Sequence, residues 1–251
     1  MFISQRALRT PPLPTQRDAA RLRVLEQEGI QVWKLHQGDP QFSTPEILYK
    51  ELKTYAEQTL GYPGAAGLPE HIEAWKQAYA RQGIDTKGLH VIPTCGAAEA
   101  IHMALFTVTD PGDEVLVFEP IYSGFSVIAS MLDCRFVPLL TRFEDGFTLP
   151  ETRMWKVHLT ERTKAIILIS PDNPTGRVLS QADIERVAWF AEAHDLVLIV
   201  DETYRDLVMK TTIPPPCALT LTRFHDRLIL IDSLSKRAGV PGMRIGAFVT
   251  F

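Results

Sequence analysis

The stretch "AIILISPDNPTGRVLSQADIERVAWFAEAHDLVLIVD", residues 165–201, decides the fold class of this chain. It begins with an apolar run at 165–170 and closes with another at 196–200, and each run has the length of one β-strand. The residues between these runs have helical spacing, and Ser180 followed by Asp183 is a variant of the capping box that begins a helix. A strand, a helix and a strand in this order predict two parallel strands joined by a crossover helix.

The same alternation continues on both sides of this stretch. A second helical segment, "AAEAIHMALFTV" at 97–108, likewise lies between apolar runs. The runs are almost continuously apolar, which is typical of strands in a sheet that is covered on both faces. The sequence therefore predicts an α/β fold with a mostly parallel seven-stranded sheet sandwiched by helices, its strands at 89–93, 114–118, 135–139, 165–170, 196–200, 227–232 and 244–250.

The first part of the chain has a different pattern. Residues 10–17, "TPPLPTQR", are rich in proline and predict an extended arm. Residues 17–29 have helical spacing and end with a glycine, so they predict a helix. Two further helices are predicted at 45–58 and 69–83, because each segment opens with a proline that suits the first helical turn.

Composition excludes several classes of function. The 251 residues carry a formal net charge of −4, which argues against a nucleic-acid partner. No apolar run approaches the length of a membrane span and no secretory signal opens the chain, so we expect no membrane partner and a cytoplasmic location. The cysteines Cys95, Cys134 and Cys217 lie far apart and lack zinc-site spacing, so we expect neither disulfides nor a bound metal.

Polar residues follow several of the predicted strands. Considered singly, each has an ordinary structural explanation, such as a turn, a helix cap or a surface lysine. However, the carboxyl ends of parallel strands meet at one edge of a sheet, where such proteins bind ligands. The sequence therefore brings together one amine, one carboxylate, one amide, one phenol, one guanidinium and two hydroxyls: Lys236, Asp201, Asn173, Tyr204, Arg244, Ser233 and Ser235.

This set of side chains suits pyridoxal phosphate. A lysine amine can form a Schiff base with the aldehyde of the cofactor, and burial favours the neutral, nucleophilic amine. A carboxylate keeps the pyridine nitrogen protonated, so that the ring withdraws electrons from a carbanion. Guanidinium and hydroxyl groups bind phosphate, and free backbone N–H groups at the helix start in "PTCGAAEA", residues 93–100, suit an anion.

The sequence resembles the fold-type I pyridoxal-phosphate enzymes, in the class I/II aminotransferase family, from about residue 35 to its end. The motifs that carry the resemblance are "SPDNPTG" at 170–176, "VDETY" at 200–204 and "SLSKRAGVPGMRIG" at 233–246. They are supported by "PTCGAAEA" and by "EPIYSGF" at 119–125. The resemblance implies the large domain of the PLP-dependent transferase fold and pyridoxal 5'-phosphate as the cofactor.

The resemblance also implies roles around the cofactor ring. Lys236 would form the Schiff base and carry protons, and Asp201 would pair with the pyridine nitrogen. Asn173 and Tyr204 would hydrogen-bond the 3-oxygen of the ring, while Tyr122 would stack on its face. The catalytic residues would therefore be Lys236, Asp201 and Tyr204.

Further implied roles concern the phosphate, the substrate and a second subunit. Gly38 and Asn173 would line the substrate pocket. Tyr62, in "GYPGAAGLPE", would reach the phosphate of the neighbouring subunit in a homodimer. The phosphate itself would be held by Ser233, Arg244, Gly96 and the backbone N–H groups of Ala97 and Ala98.

Three features depart from the family's pattern. Ala97 and Ala98 carry no hydroxyl where many relatives have serine or threonine, so phosphate contacts there would use the backbone only. Arg237 follows the lysine where relatives often have a hydroxyl or amide residue. Relatives also continue past the last strand. We therefore expect an N-terminal arm with part of a small domain at 1–45, an incomplete cofactor-binding large domain at 46–251, and a missing C-terminal small domain.

The implied reaction is transamination, which moves an amino group between an amino acid and a 2-oxo acid through a lysine Schiff base. The same residues also serve elimination and racemisation, so a lyase or racemase of this fold stays open. A truncated, inactive fragment that serves as a binding module is another possibility. A nucleotide-binding domain is disfavoured, because the sequence lacks both the GxxxxGK[ST] and the GxGxxG fingerprints.

Overall fold

The computed structural model of the protein describes residues 2–34, 38–40, 42–55, 61–208 and 214–251. Within this part of the chain the α-helices are α1 (Gln5–Arg9), α2 (Pro14–Gln27), α3 (Glu46–Tyr55), α4 (Pro69–Ala80), α5 (Ala97–Val108), α6 (Ser123–Met131), α7 (Thr152–Lys156), α8 (Gln181–Ala193) and α9 (Leu234–Arg237). The β-strands are β1 (His90–Cys95), β2 (Glu114–Glu119), β3 (Arg135–Leu140), β4 (Thr163–Ile169), β5 (Val197–Asp201), β6 (Leu228–Ser233) and β7 (Ile245–Thr250).

These strands form one sheet with the order β1-β7-β6-β5-β4-β2-β3. The pairs from β6 to β3 in this order are parallel, whereas β7 runs antiparallel to both β6 and β1. The predicted α/β class with a mostly parallel seven-stranded sheet is therefore confirmed. Because β7 runs in the opposite direction, its first residues lie at the carboxyl edge of the other strands, where Gly246 is opposite Ser233.

Helices cover both faces of the sheet, as the apolar strands require. Successive side chains of a strand point to opposite faces. On one face, Leu198 and Val200 of β5 pack in a core that includes Val187 of α8. On the other face, Ile199 of β5 shares a core with Ile101 of α5. Since both faces are filled with apolar side chains, polar groups find room only at the ends of the strands.

The N-terminal region differs from its prediction. Residues 10–17 were expected to be an extended arm, but residues 14–17 already form the first turn of α2. Pro14 occupies a first-turn position of this helix, where its missing N–H costs nothing and its fixed φ favours the helix. A short helix that the sequence pattern did not predict, α1, precedes it, with the Ser4 hydroxyl accepting the N–H of Ala7.

The other helices follow their sequence signals more closely. The capping box at α8 is confirmed, because the Ser180 hydroxyl accepts the N–H of Asp183 and the Asp183 carboxylate accepts the N–H of Ser180. The helix predicted at 45–58 is observed as α3 up to Tyr55, and its last three residues lie outside the described residues. Across the described ranges, no helix has the length and apolarity needed to span a membrane.

Candidate active site

A cavity of about 610 Å³ opens at the carboxyl edge of the sheet. Its size is that of a typical small-molecule site. The loops after β1, β2, β4, β5 and β6 contribute to its wall, and so does the residue that precedes β7. The residues expected at the site that line this cavity are Gly38, Ala97, Ala98, Tyr122, Asn173, Asp201, Tyr204, Ser233, Lys236 and Arg244.

Lys236 enters the cavity from α9, which directly follows β6. Its side-chain amine donates a hydrogen bond to the carbonyl oxygen of Gly38. The same nitrogen lies 5.7 Å from the centre of the Tyr204 ring. Burial lowers the pKa of the Lys236 amine, and the nearby charge of Asp39 opposes this shift. The amine is therefore more readily neutral, and more nucleophilic, than a lysine amine in water.

Asp201 ends β5 and is buried, with 7% of its surface exposed. Its Oδ1 accepts the backbone N–H of Thr203 at 2.9 Å. Burial raises the pKa of this carboxyl to about 6, and the negative charges of Asp232 and Asp172 add to the shift, while hydrogen bonds from Thr203 oppose it. Because burying a carboxylate without a cation is costly, a ligand that brings positive charge to Asp201 would be favoured here.

Two tyrosines and an amide lie beside this carboxylate. The Asn173 amide nitrogen is 3.4 Å from the Tyr204 hydroxyl, to which it donates. Burial raises the pKa of both Tyr122 and Tyr204, and the charge of Asp201 raises each of them further. Both phenols therefore keep their protons at neutral pH and can donate hydrogen bonds into the cavity.

One part of the cavity wall combines groups that can bind an anion. Gly96, with φ of 75°, precedes α5, whose first two residues, Ala97 and Ala98, line the cavity at a helix start where backbone N–H groups have no partner within the helix. A Cβ atom on Gly96 would lie 2.3 Å from Nη2 of Arg244, so only glycine lets the guanidinium lie against this turn. Arg244 is held there by hydrogen bonds to the carbonyl oxygens of Cys95 at 3.1 Å and Pro241 at 2.9 Å. The buried Ser233 hydroxyl also lines the cavity.

The wall of this cavity does not include every residue with a predicted role, and it includes some residues without one. Gly96 does not itself line the cavity but contacts Arg244. Tyr62 is fully exposed and is not part of the cavity wall. In contrast, Pro14, Thr15 and Asp18 of α2 do line it. Helical spacing in α2 predicts the helix but not where the helix docks, so no sequence signal marked these three residues. Among the described residues, no cluster of His, Cys, Asp or Glu could hold a metal ion.

Comparison with known proteins identifies the family of this chain. The family described as "Aminotransferase class I and II" matches residues 30–250, and the chain belongs to it. The chain is 30% identical to a probable aspartate/prephenate aminotransferase of Thermus aquaticus, over 97% of the chain and 63% of that protein. It is 31% identical to an arginine–pyruvate transaminase of Pseudomonas aeruginosa, over 88% of the chain and 56% of that protein.

Solved structures show the same relationship. An aspartate aminotransferase of Thermotoga maritima superposes with a TM-score of 0.88 at 26% identity, over 99% of this chain and 66% of that one. The aspartate aminotransferase of Thermus thermophilus with maleate superposes with a TM-score of 0.89 at 28% identity, over 100% of this chain and 65% of that one. The chain thus has the fold of these enzymes and spans less than two thirds of their length.

Proposed function

We propose that this protein is a pyridoxal-phosphate-dependent aminotransferase, which moves an amino group between an amino acid and a 2-oxo acid. The observation that carries the proposal is that a lysine with a lowered pKa and a buried carboxylate, Lys236 and Asp201, line one cavity together with Arg244 and the first residues of α5. Membership of the class I and II aminotransferase family supports the same reaction.

The residues of the cavity fit this cofactor. Bound pyridoxal phosphate supplies an aldehyde and a pyridinium ring that accepts electrons from the α-carbon of an amino acid. Asp201 would hold the proton on the ring nitrogen, and the cationic ring would in turn favour the ionised carboxylate. Arg244, Ser233 and the N–H groups that begin α5 would bind the phosphate.

The remaining residues orient the reacting groups. Asn173 and Tyr204, which are already in contact, would donate hydrogen bonds to the 3-oxygen of the ring. Tyr122 would stack on the face of the ring. Gly38 and Asn173 would line the space for the substrate, and the contact of Gly38 with the Lys236 amine brings that space next to the reacting nitrogen.

Lys236 would act as the acid and base of the reaction. Its amine would take the proton from the α-carbon of the amino acid and deliver it to the bound cofactor, after which water would supply the oxygen of the 2-oxo acid and the nitrogen would stay with the cofactor. Proton transfer by a positioned group of this kind contributes roughly 10²–10⁴-fold to rate. A lyase or racemase would use the same amine, and the product separates these cases: transamination would release a 2-oxo acid and leave the amino group on the bound cofactor.

We also propose a cytoplasmic homodimer in which Tyr62 reaches the phosphate of the neighbouring subunit. The full exposure of the Tyr62 side chain leaves it available for such a contact. Cys95, Cys134 and Cys217 are all free, which suits a reducing compartment.

The visible spectrum of the protein with added pyridoxal phosphate tests the function. We expect an imine absorption band in the wild-type protein and in Lys87→Ala, a control at an exposed lysine outside the cavity. Lys236→Ala should lack the band. Adding amino acids one at a time should then shift the band and release 2-oxo acid. A band that persists in Lys236→Ala, or a wild-type protein that forms none, contradicts the proposal.

A further inference from the structure

Arg237 directly follows the cavity lysine, yet its side chain enters a buried cluster of charged and aromatic residues. Only 11% of this side chain is exposed. Its Nη2 donates to both carboxylate oxygens of Asp232, at 2.6 Å and 2.7 Å. Asp232 belongs to β6 and is itself 1% exposed. Removing either partner of a charge pair this deeply buried strongly destabilises the fold, because the other charge is left buried without compensation.

Two aromatic residues of α4 complete the cluster. The Tyr79 hydroxyl donates to Oδ2 of Asp232 at 2.9 Å, and Tyr79 is 1% exposed. The guanidinium carbon of Arg237 lies 5.7 Å from the centre of the Trp75 ring, within the range of a cation–π contact. Burial raises the pKa of Asp232, while the charge of Arg237 and the hydrogen bond from Tyr79 oppose this shift. Arg237 and Tyr79 therefore both favour the ionised form of the buried Asp232 carboxyl.

Arg237 also contacts the segment that carries Tyr204. Its Nε lies 3.1 Å from Oδ2 of Asp206. Asp206 lies in a short 3-10 turn, Arg205–Leu207, that begins directly after Tyr204. One guanidinium thus joins the end of β6, through Asp232, to the turn that follows the end of β5.

The helix that carries both Lys236 and Arg237, α9, is too short to be stable by itself. α9 has only four residues, and isolated helices of this length are not stable. Lys236 and Arg237 are its last two residues, so fixing one of them restricts the backbone of the other. The Lys236 side chain goes into the cavity, towards Gly38, whereas the Arg237 side chain goes into the buried cluster.

We infer that Arg237 is a positioning residue for Lys236: by binding Asp232 and Asp206 it fixes the turn of α9 so that the lysine amine stays in the cavity beside Tyr204. This inference rests on the proposed function in one respect, namely that Lys236 is the reacting amine. This role would explain structurally why the chain has an arginine directly after the lysine, where the family's pattern often has a hydroxyl or amide residue.

The test measures the environment of the Lys236 amine without any cofactor. The protein is labelled with limiting acetic anhydride over a range of pH, and mass spectrometry follows modification of the peptide that contains Lys236. The pH dependence gives the apparent pKa of this amine. The titratable and charged groups that share its surroundings are left unchanged in every variant below: Asp39, Asp18, Asp201, Tyr122, Tyr204 and Arg244.

Two variants separate positioning from charge compensation. Arg237→Met removes the anchor and leaves Asp232 buried without its cation. The double variant Arg237→Met/Asp232→Asn also removes the anchor but leaves no uncompensated buried charge, since Asp206 is 41% exposed, so it should recover thermal stability. In both variants we expect the apparent pKa of Lys236 to rise towards the ordinary lysine value, because the released side chain reaches water. Arg186→Met is the matched control, since Arg186 pairs with Asp183 at 3.2 Å and lies over the Trp155 ring outside the cavity.

The double variant decides the outcome. A raised pKa of Lys236 in a double variant whose melting temperature is close to wild type supports positioning. A wild-type pKa in that variant overturns the inference, because Arg237 would then serve only to neutralise Asp232. If Arg186→Met raises the pKa of Lys236 as much as Arg237→Met does, the inference is likewise overturned, since the effect would follow from general loosening of the fold.

A second measurement uses the cofactor. The rate at which the imine band forms on adding pyridoxal phosphate should fall by roughly 10- to 100-fold in the double variant, because small displacements of a reacting group have effects of this size. Arg237→Lys, which keeps the charge, should lose less. If the wild-type protein forms no imine band while the labelling experiment still shows the shift, the proposed function fails and the positioning role of Arg237 stands.

Discussion

The carboxyl group of Asp201 shows at the scale of one residue how this site is built. It is placed at the end of an apolar strand, and its burial raises its pKa to about 6. In the absence of a cationic ligand, the ionised carboxylate is therefore unfavourable in the folded protein. A buried carboxyl group that lowers the stability of the fold and faces a cavity is typical of binding and catalytic sites.

This cost predicts that Asp201→Asn stabilises the protein at alkaline pH. A folded pKa of about 6, above the ordinary value of 3.8, means that the carboxyl contributes stability below pH about 4 and loses it as the pH rises through about 6. Asparagine cannot ionise and can still accept the N–H of Thr203. We expect the free energy of unfolding in urea at pH 8 to rise by up to about 3 kcal/mol, with little change below pH 4.

The control for this prediction is Asp226→Asn, which removes a carboxylate that is 71% exposed. It should leave stability nearly unchanged at both pH values. An Asp201→Asn protein that is no more stable than the wild type at pH 8 would contradict the assigned burial cost. The same variant should bind pyridoxal phosphate weakly, because it lacks the partner for the ring nitrogen.

Single residues also show what the sequence could and could not predict. Lys236, Asp201 and Asn173 stand out because each lies at the end of an apolar strand or within four residues after it, and a sheet with parallel strands brings such positions to one edge. The surroundings of Arg237 could not be predicted in this way. Its partners Trp75 and Asp206 come from segments distant in sequence, and only folding brings them into contact with Arg237.

At the scale of secondary-structure elements, local signals predicted the boundaries of the strands more closely than those of the helices. Each strand agrees with its predicted range to within two residues at either end, because each is an apolar run between turn formers. The direction of β7 carries no such local signal. Its antiparallel pairing with β6 and β1 places Arg244 at the carboxyl edge, and this depends on contacts between segments far apart in sequence.

The turn between β1 and α5 depends on glycine at position 96, and this dependence can be tested by substitution. Gly96→Ala introduces a Cβ atom where the guanidinium of Arg244 now lies, in addition to the strain of a positive φ. We expect the guanidinium to be displaced from the turn and the dissociation constant of pyridoxal phosphate to rise by about tenfold or more, since a charged hydrogen bond contributes about 1.5–3 kcal/mol. Fluorescence or absorbance titration with the cofactor measures this change.

Gly88→Ala is a closely matched control. Gly88 has φ of 78°, close to that of Gly96, but a Cβ atom there would meet nothing within 4 Å. Both variants should lose stability from the strain of a positive φ, on the order of 1–3 kcal/mol each. Only Gly96→Ala should weaken cofactor binding, and equal cofactor affinity in the two variants would count against the role of the turn in holding the phosphate.

At the scale of the whole molecule, the described surface carries apolar side chains that a monomer would leave in water. In α3, Ile47, Leu52 and Tyr55 are each at least 45% exposed, and Trp33 is 78% exposed. Where exposed apolar side chains form a contiguous patch, they are typical of an interaction site. The sequence predicts a helix at 45–58 that contains Ile47, Leu52 and Tyr55, but it has no local signal for what contacts their exposed side chains, because such a contact depends on groups distant in sequence or on a second molecule.

The exposed apolar surface and the free Tyr62 side chain together predict that the cofactor site is completed by a second subunit. Cofactor affinity should then rise with protein concentration, because dimerisation and binding are linked by mass action. Tyr62→Phe should lower the affinity of each site, and Lys236→Ala should abolish imine formation. In a mixture of these two variants, hybrid dimers would contain one site with both Lys236 and the partner's tyrosine. Titration of the mixture should therefore show tight imine-forming sites that neither variant has alone, whereas a site complete within one subunit would show none.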